Sequence, residues 1–450
     1  MIHKLLAIFF LSFAYLGSFL SAEGNPYPPD QELTLEMLLD IALRNNPETR
    51  SAWANVRRSQ GIYCQSLSNN QIAVDYYAYG RYHHLSKKDK KHNYTDYYVD
   101  NEIIASYLLF DFGVRKYTHQ TTFFALRSAQ KFCNWTFQTV MVEVIRRYSE
   151  YLDSIETYKV RQADLMDAKM NFEVAEALYD AGVKNRTDML QARAAYVSTQ
   201  IQLEVAKGEI QIALGALKNA LGVTMDTPIE VKDLPKDFEP YQIHQKVESL
   251  INEAHKNRSD LQAGIEAIRQ KNAEYCRALS DGYPTMTVEY GYGKKAWHRR
   301  YKENYRSDVA LTLSVPIYRG YYFKNGVRTA KAALDQEVAD YENALSNTAF
   351  EVLTNYWTFK TAYETFQYSI EFLEYAQESH DATLASYKAG MGNIQDLFEA
   401  QRELASARNA HVRAKTAWIL SLANLTYSTG MLQGPDDPLC KQCSLSRSSP

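Results

Sequence analysis

The chemistry that this sequence offers most plainly is carboxylate chemistry on one helical face. Asp396 and Glu399 stand three positions apart in a segment with helical periodicity, and residues at that spacing are neighbours on a helix. Carboxylates that line a pore favour cations. The plainer alternative is an exposed acidic pair at a helix N-terminus, where the helix dipole favours negative charge.

The other reactive side chains form no catalytic or metal-binding pattern. The sequence contains no G-x-S-x-G, P-loop or H-E-x-x-H motif, and its histidines show no ligand spacing. Cys440 and Cys443 form a lone C-x-x-C, which lacks the second ligand pair of a zinc site. We therefore expect no enzyme activity, no cofactor and no metal. The net charge of −3 gives no basic excess for a nucleic acid partner.

The first 22 residues have the pattern of a secretory signal peptide. His3 and Lys4 precede an apolar run over residues 5–13, and small residues lead to Ala22. A retained anchor helix is the alternative. Beyond residue 22 no apolar stretch approaches the ~20 residues that a membrane helix needs. The mature chain is therefore either soluble beyond the inner membrane or crosses a membrane as a β-barrel, whose alternating strands escape hydropathy scans.

The sequence also repeats itself over a long range. Matching residues recur at a shift of 208 positions over most of the repeat and at a shift of 212 near its start. A unit of roughly 200 residues far exceeds the 20–50 residues of solenoid repeats, so each copy must contain several elements. The matches include Tyr179, Ala181, Gly182 and Asp188 with Tyr387, Ala389, Gly390 and Asp396 at the first shift, and Glu48, Arg57 and Tyr63 with Asp260, Arg269 and Tyr275 at the second.

Each repeat is predicted to contain short helices, a strand pair and two long helices. Thr34 and Asn46-Pro47 are typical helix starts, and period-two alternation predicts strands. Apolar residues recurring every three or four positions predict the long helices, which need lateral support from one another. The predicted strands cover 72–82, 97–110, 285–292 and 308–317, and the long helices cover 116–182, 188–221, 324–390 and 396–429.

The repeats define the expected domain organisation. The divisions are a signal peptide at 1–22, a first repeat at 23–222, a connector at 223–256, a second repeat at 257–430 and a tail at 431–450. The connector contains three prolines, which indicate irregular structure.

The order of these segments closely resembles the TolC-type outer-membrane efflux family. The resemblance covers about residues 33–430, and it depends on a doubled series of motifs rather than on any single motif. The motifs are Leu33-Thr34-Leu35 before Asn45-Asn46-Pro47, the strand ends at 109–113 and 315–320, and the turns Tyr179-Asp180-Ala181-Gly182 and Tyr387-Lys388-Ala389-Gly390.

This resemblance implies an α+β membrane protein built from two internal repeats. Three copies would form one twelve-stranded outer-membrane β-barrel, with four strands per chain, continued by a long periplasmic α-helical barrel. Strand count agrees, because four strands cannot close a barrel and lipid does not tolerate an open edge. The implied partners of the homotrimer are outer-membrane lipid, a periplasmic adaptor and an inner-membrane transporter of a Gram-negative-type bacterium.

The function implied by the resemblance is the exit duct of a tripartite efflux or type I secretion system, extending from the outer membrane into the periplasm. Two alternatives stay open. A periplasmic coiled-coil adaptor would share the long helices but lack the strand pairs. A structural envelope scaffold would have a closed barrel that does not conduct.

The resemblance also assigns the site residues. The family's acidic positions at the constricted pore entrance match Asp396 and Glu399, and gate positions on the two helical turns match Asp188 and Tyr387. The turns are expected to dock onto helical hairpins of the adaptor. The residues assigned to these docking tips are Gly182, Val183, Gly390 and Met391.

One gate position departs from the family pattern. The arginine that follows the glycine of the second turn is replaced by Gly392. Without that arginine, the ion pair that closes the gate needs another cation. Lys184 and Arg186, next to the first turn, are the candidates.

Overall fold

The computed structural model describes residues 32–85, 94–232, 243, 245–297 and 303–432. The expected signal peptide and the C-x-x-C of Cys440 and Cys443 lie outside these ranges. Within them the chain forms eight helices and four strands. In order these are α1 (Leu35–Asn45), α2 (Pro47–Ser68), β1 (Ala73–Leu85), β2 (Tyr94–Phe110), α3 (Val114–Asp180), α4 (Arg186–Leu221), α5 (Val247–Asn257), α6 (Ser259–Ser280), β3 (Thr285–Trp297), β4 (Glu303–Ser314), α7 (Tyr322–Lys388) and α8 (Ile394–Ser428).

The long helices confirm the predicted pattern, with ends within two residues of the predicted ones. Helices α3 and α7 each contain 67 residues, which corresponds to about 100 Å of helix at ~1.5 Å per residue. Strand β4 ends at Ser314, so its predicted continuation to residue 317 is wrong. Pro316 explains the difference, because proline has no N–H to donate to a strand ladder.

The segment expected to be a connector contains α5, which the sequence analysis missed. Helix α5 lies 212 positions after α1 and has the same length of 11 residues. It is therefore the counterpart of α1 in the second repeat.

The described residues divide into two compact units. The helical unit comprises the described residues of Met1–Trp53, Cys133–Ser259 and Leu345–Pro450, and the sheet unit comprises those of Ala54–Phe132 and Asp260–Ala344. No helix in the described ranges combines the length and the apolar character needed to cross a membrane.

In the helical unit, the residue before α2 and the residue before α6 each donate a side-chain hydrogen bond to the end of a long helix. The Asn46 side-chain amide donates to the backbone carbonyl of Ala220 at 2.8 Å. The Arg258 guanidinium donates to the carbonyl of Ser428 at 3.4 Å. These residues are equivalent at the two repeat shifts. A Cβ at Gly222 would lie 2.7 Å from Asn46 Cα, so the close approach requires glycine at the end of α4.

The sheet unit contains one antiparallel sheet with the strand order β1-β2-β3-β4. Its register pairs Glu102 with Gly293, and Gly293 with Arg306, on one face. Glu102 and Arg306 form an ion pair across Gly293. The opposite face is apolar and exposed, as the predicted alternation requires. It carries Val74, Tyr76, Val99, Ile103, Tyr290, Tyr292, Val309, Leu311 and Leu313.

Candidate functional site

The first helical turn ends α3 with a Schellman motif. The N–H of Gly182 donates to the carbonyl of Tyr179 at 2.9 Å, and that of Val183 donates to the carbonyl of Leu178 at 2.9 Å. Gly182 has a φ of +70°, the left-handed conformation that this motif requires. Val183 is 56% exposed at the tip.

The second helical turn repeats this geometry at the end of α7. The N–H of Gly390 donates to the carbonyl of Tyr387 at 2.9 Å, and that of Met391 donates to the carbonyl of Ser386 at 3.2 Å. Gly390 has a φ of +77°. Met391 is 84% exposed. The predicted tips are therefore two equivalent capped turns, each ending in an exposed apolar side chain.

A small hydrophobic core joins the helices behind the two turns. It contains buried residues from both repeats, so neither turn is an independent loop. Its buried members are Ala175 and Ala192 from the first repeat, and Leu384, Tyr387, Ile394 and Leu397 from the second.

Tyr387 is fully buried in this core. Its hydroxyl has no hydrogen-bond partner among the described residues. Burial raises the pKa of Tyr387, and the negative charge of Asp188 raises it further. Asp188 and Tyr387, two residues predicted for the gate, are therefore close enough to interact electrostatically.

Lys184 links the first turn to the second. Its Nζ donates to the carbonyl oxygen of Gly392 at 2.8 Å and lies 5.4 Å from the centre of the Tyr387 ring. Positions 184 and 392 are equivalent at the repeat shift of 208. The ammonium group at position 184 of the first turn therefore reaches the backbone at the matching position of the second turn. Of the two cations predicted to replace the arginine, this contact favours Lys184 over Arg186.

The backbone geometry explains why the second turn has glycine at position 392. A Cβ on Gly392 would lie 3.0 Å from the backbone nitrogen of Tyr387 and 3.1 Å from its Cα. Contacts that short require the backbone to shift. A side chain at this position would also crowd the carbonyl that Lys184 reaches.

Asp396 and Glu399 lie in the first two turns of α8. Ile394 and Leu397 of the same helix are buried in the core, whereas both carboxylates are exposed. The pair therefore occupies the side of α8 that faces away from the core. Asp396 also stands in the first helical turn, where the helix dipole favours a negative charge.

The sequence analysis missed an ion cluster that ties α8 to α3 and α7. Arg408 Nη1 lies 2.9 Å from Asp164 Oδ1 and 2.8 Å from Asp167 Oδ2, and Nη2 donates to Gln377 at 3.2 Å. Burial raises the pKa of Asp164, and Arg408 and Arg161 oppose this shift. One feature of the sequence did point to this cluster, because Asp164 and Asp167 stand three positions apart within a predicted long helix and so share one of its faces.

The chemistry available at this site is electrostatic. Its functional groups are carboxylates, one ammonium group and one neutral phenol. Among the described residues, no group of three or more His, Cys, Asp or Glu side chains is arranged to hold a metal ion.

A comparison with protein-family models matches most of this chain. The model described as outer membrane efflux protein matches residues 38–223 and 250–431. The two matched segments correspond to the two repeats and include both helical turns.

Individual relatives are distant but match nearly the whole length. Protein CyaE of Bordetella pertussis is 24% identical over 420 residues, covering 89% of this chain and 85% of that protein. The protease secretion protein PrtF of Dickeya chrysanthemi is 23% identical over 420 residues, covering 88% of each. The CmeC outer membrane channel of Campylobacter jejuni superimposes with a TM-score of 0.80 at 16% identity, covering 92% of this chain and 89% of that one.

The environment of Tyr387 gives a first testable prediction. Tyr387→Phe is expected to leave stability unchanged or to raise it by up to about 1 kcal/mol, because it removes a buried hydroxyl without a partner. Tyr148→Phe is the matched control, since the buried Tyr148 donates to the carbonyl of Lys232 at 2.9 Å. That control is expected to lose about 1 kcal/mol. Thermal unfolding in detergent measures both, and equal losses would contradict the environment described for Tyr387.

Proposed function

Because this chain belongs to the outer membrane efflux protein family, it is an outer-membrane channel rather than an enzyme, and we propose that it is the exit duct of a tripartite efflux or type I secretion system. The duct would pass substrates from an inner-membrane transporter and a periplasmic adaptor to the exterior. The observation that carries this proposal is the pair of capped turns with an exposed carboxylate pair beside them. Relatives named for secretion, such as PrtF, support the secretion alternative.

We infer that the chain assembles as a homotrimer, and the open edges of the sheet support this inference. Strands β1 and β4 lie at the ends of a four-stranded sheet, and three such sheets would supply twelve strands. In lipid, unpaired backbone groups at an edge cost several kcal/mol each, so closure is strongly favoured.

Exposed apolar side chains on the long helices support the same assembly. They recur at helical spacing, and a second copy would cover them in a side-by-side wall of helices. They are Leu190, Val197, Ile201, Val205 and Ile212 on α4, and Phe350, Leu353, Trp357, Tyr368 and Tyr375 on α7.

We infer that Asp396 and Glu399 form two carboxylate rings at the pore entrance. Three copies would place six carboxylates around the axis, and rings of negative charge attract cations and are plugged by multivalent ones. The exposure of both side chains supports this arrangement.

The double variant Asp396→Ala/Glu399→Ala tests the rings. We expect the multivalent cation concentration that half-blocks single-channel current to rise at least about tenfold, the factor that corresponds to ~1.4 kcal/mol. Glu173→Ala/Glu176→Ala is the matched control, because these exposed carboxylates are also three apart and lie near the first turn. Equal block in wild type and the ring variant would remove the assignment.

We propose that Lys184 holds the gate closed in place of the missing arginine. Its bond to the carbonyl of Gly392 joins the two turns of one chain, and its position over Tyr387 adds a cation–π attraction. Asp188 beside Tyr387 completes the proposed gate cluster. Breaking the Lys184 contact would let the hairpins of the two repeats separate more easily.

Lys184→Met keeps the length of the side chain and removes its charge. We expect it to raise the open probability in planar bilayers about tenfold, because hydrogen bonds to charged groups contribute about 1.5–3 kcal/mol. Lys184→Arg should keep the channel closed. Lys169→Met is the control, since Lys169 forms only an exposed ion pair with Glu173 at 3.6 Å. An unchanged open probability in Lys184→Met would exclude this role.

The two tips are proposed as the docking site for the periplasmic adaptor. Gly182 and Gly390 shape the turns, and Val183 and Met391 offer exposed apolar contacts. Substituting the glycines would strain their left-handed backbone, so the apolar side chains provide the cleaner test.

Val183→Asp/Met391→Asp is expected to abolish co-purification with the adaptor and transport by the assembled system, while the trimer stays intact. A charge at each contact would have to be buried on docking, which is costly. Met166→Asp is the control, because Met166 is 71% exposed on α3 away from the turns. Normal adaptor binding by the double variant would argue against docking at the tips.

A further inference from the structure

The sheet unit holds two aromatic residues in an unusual backbone conformation at matching places. Each lies in the short link between a second strand and the long helix that follows. Phe112 has a φ of +51° and Tyr321 a φ of +63°. For a bulky side chain this left-handed conformation is an outlier and costs free energy.

Each link holds two consecutive residues with positive φ, and the glycine stands in the opposite order in the two copies. Phe112 is followed by Gly113 at φ +100°, whereas Tyr321 is preceded by Gly320 at φ +57°. The two dipeptides are equivalent at the repeat shift of 208. In each copy one of two left-handed positions is thus filled by an aromatic residue rather than by glycine.

These rings are exposed rather than packed into a core. Phe112 is 47% exposed and Tyr321 64%. Tyr321 contacts Tyr318, itself 72% exposed, with ring centres 6.0 Å apart. Aromatic side chains at this level, where a lipid-facing strand ends, are typical of a membrane–water interface.

The chain segments that contain the links are rich in basic residues. Residues 309–334 contain Arg319, Lys324, Arg328 and Lys331 and no Asp or Glu. In the first repeat, residues 103–142 contain a single acid, Asp111, which is buried and accepts hydrogen bonds from the N–H groups of Gly113 and Arg115.

Several of these cations lie against the rings. The Lys324 Nζ is 5.9 Å from the Tyr321 ring centre, the Arg319 guanidinium is 5.6 Å from that of Phe323, and Lys116 Nζ is 5.7 Å from that of Tyr117. The side chains of Lys116, Arg319 and Lys324 are all exposed. Aromatic surface and exposed positive charge therefore lie together at these links.

We propose that this aromatic–basic collar, formed by Phe112, Lys116, Tyr318, Arg319, Tyr321 and Lys324, binds the phosphate groups of anionic phospholipids in the inner leaflet of the outer membrane. The rings enter the boundary between acyl chains and headgroups, and the cations reach the phosphates. This inference relies on the proposed assembly, in which the apolar sheet face meets lipid. Anionic headgroups are the matching chemistry, because juxtamembrane Lys and Arg are attracted to them.

The test uses the full-length trimer and a charge variant of the collar, Lys116→Gln/Arg319→Gln/Lys324→Gln. Native mass spectrometry measures the ratio of bound phosphatidylglycerol to phosphatidylcholine from equimolar mixed micelles. The control removes three exposed lysines of the helical unit, Lys159→Gln/Lys169→Gln/Lys207→Gln. Wild type and control should favour phosphatidylglycerol at least about tenfold, falling with added salt.

The collar variant should show a ratio close to one. A variant that keeps the preference, or a wild type that has none, would overturn the proposal. Loss of the trimer in the variant would overturn the proposal too. It would show that the collar residues contact a neighbouring copy in the wild-type trimer and are not available to lipid. Conductance in phosphatidylcholine bilayers separates this inference from the channel function. A collar variant with normal conductance and no lipid preference would support both the channel function and the lipid site.

Tyr321→Gly provides a second variant that does not depend on charge. It relieves the left-handed strain, so the melting temperature should stay the same or rise. It also removes one ring from the boundary between acyl chains and headgroups, so the amount of phospholipid bound per trimer should fall at least about twofold. A variant that binds as much phospholipid as the wild type would show that Tyr321 is not part of the lipid site.

Discussion

The structure depends on one constraint, that backbone hydrogen-bonding groups at the edges of a sheet cannot stay unpaired in lipid. Within one chain, β2 of the first repeat pairs with β3 of the second, so the two hairpins already form one sheet. The remaining edges, β1 and β4, have no partner in that sheet. In lipid, a chain built in this way needs further strands at both edges, which the proposed assembly of several copies would supply.

Each helical turn has a fixed internal geometry, whereas the two turns are held to each other by few contacts. Each turn is fixed internally by the two hydrogen bonds and the left-handed glycine of a Schellman motif. The two turns are joined to each other by a small core, by the bond from Lys184 to the carbonyl of Gly392 and by the bond from Gln395 to Gln191. An assembly of this kind can move as intact hairpins when the connection breaks, because each turn keeps its own hydrogen bonds.

The sequence predicted the elements better than the contacts between them. Repeat matching and helical periodicity located every long helix to within two residues, because those signals accumulate over many turns. Helix α5 was missed since its 11 residues follow a proline-rich segment. The Arg408 cluster could not be predicted either, because its two aspartate partners are more than 200 residues away along the chain. The end of β4 was predicted wrongly because the alternating pattern continues to residue 317, whereas the strand ends at Ser314, before Pro316.

The contact between Lys184 and Gly392 shows how one repeat of a duplicated chain can place a side chain at a position where the other repeat has none. A Cβ at position 392 would crowd the backbone of Tyr387 at 3.0 Å, whereas the matching position 184 in the other repeat carries an ammonium group that reaches the carbonyl of Gly392. The strand-to-helix links behave alike, since the aromatic residue and the glycine exchange places between the copies while both left-handed positions remain. Because equivalent positions of the two repeats lie close together at the turns, either copy can supply a required group. The backbone geometry is therefore common to the two repeats, but it determines only in part which residue stands at each position.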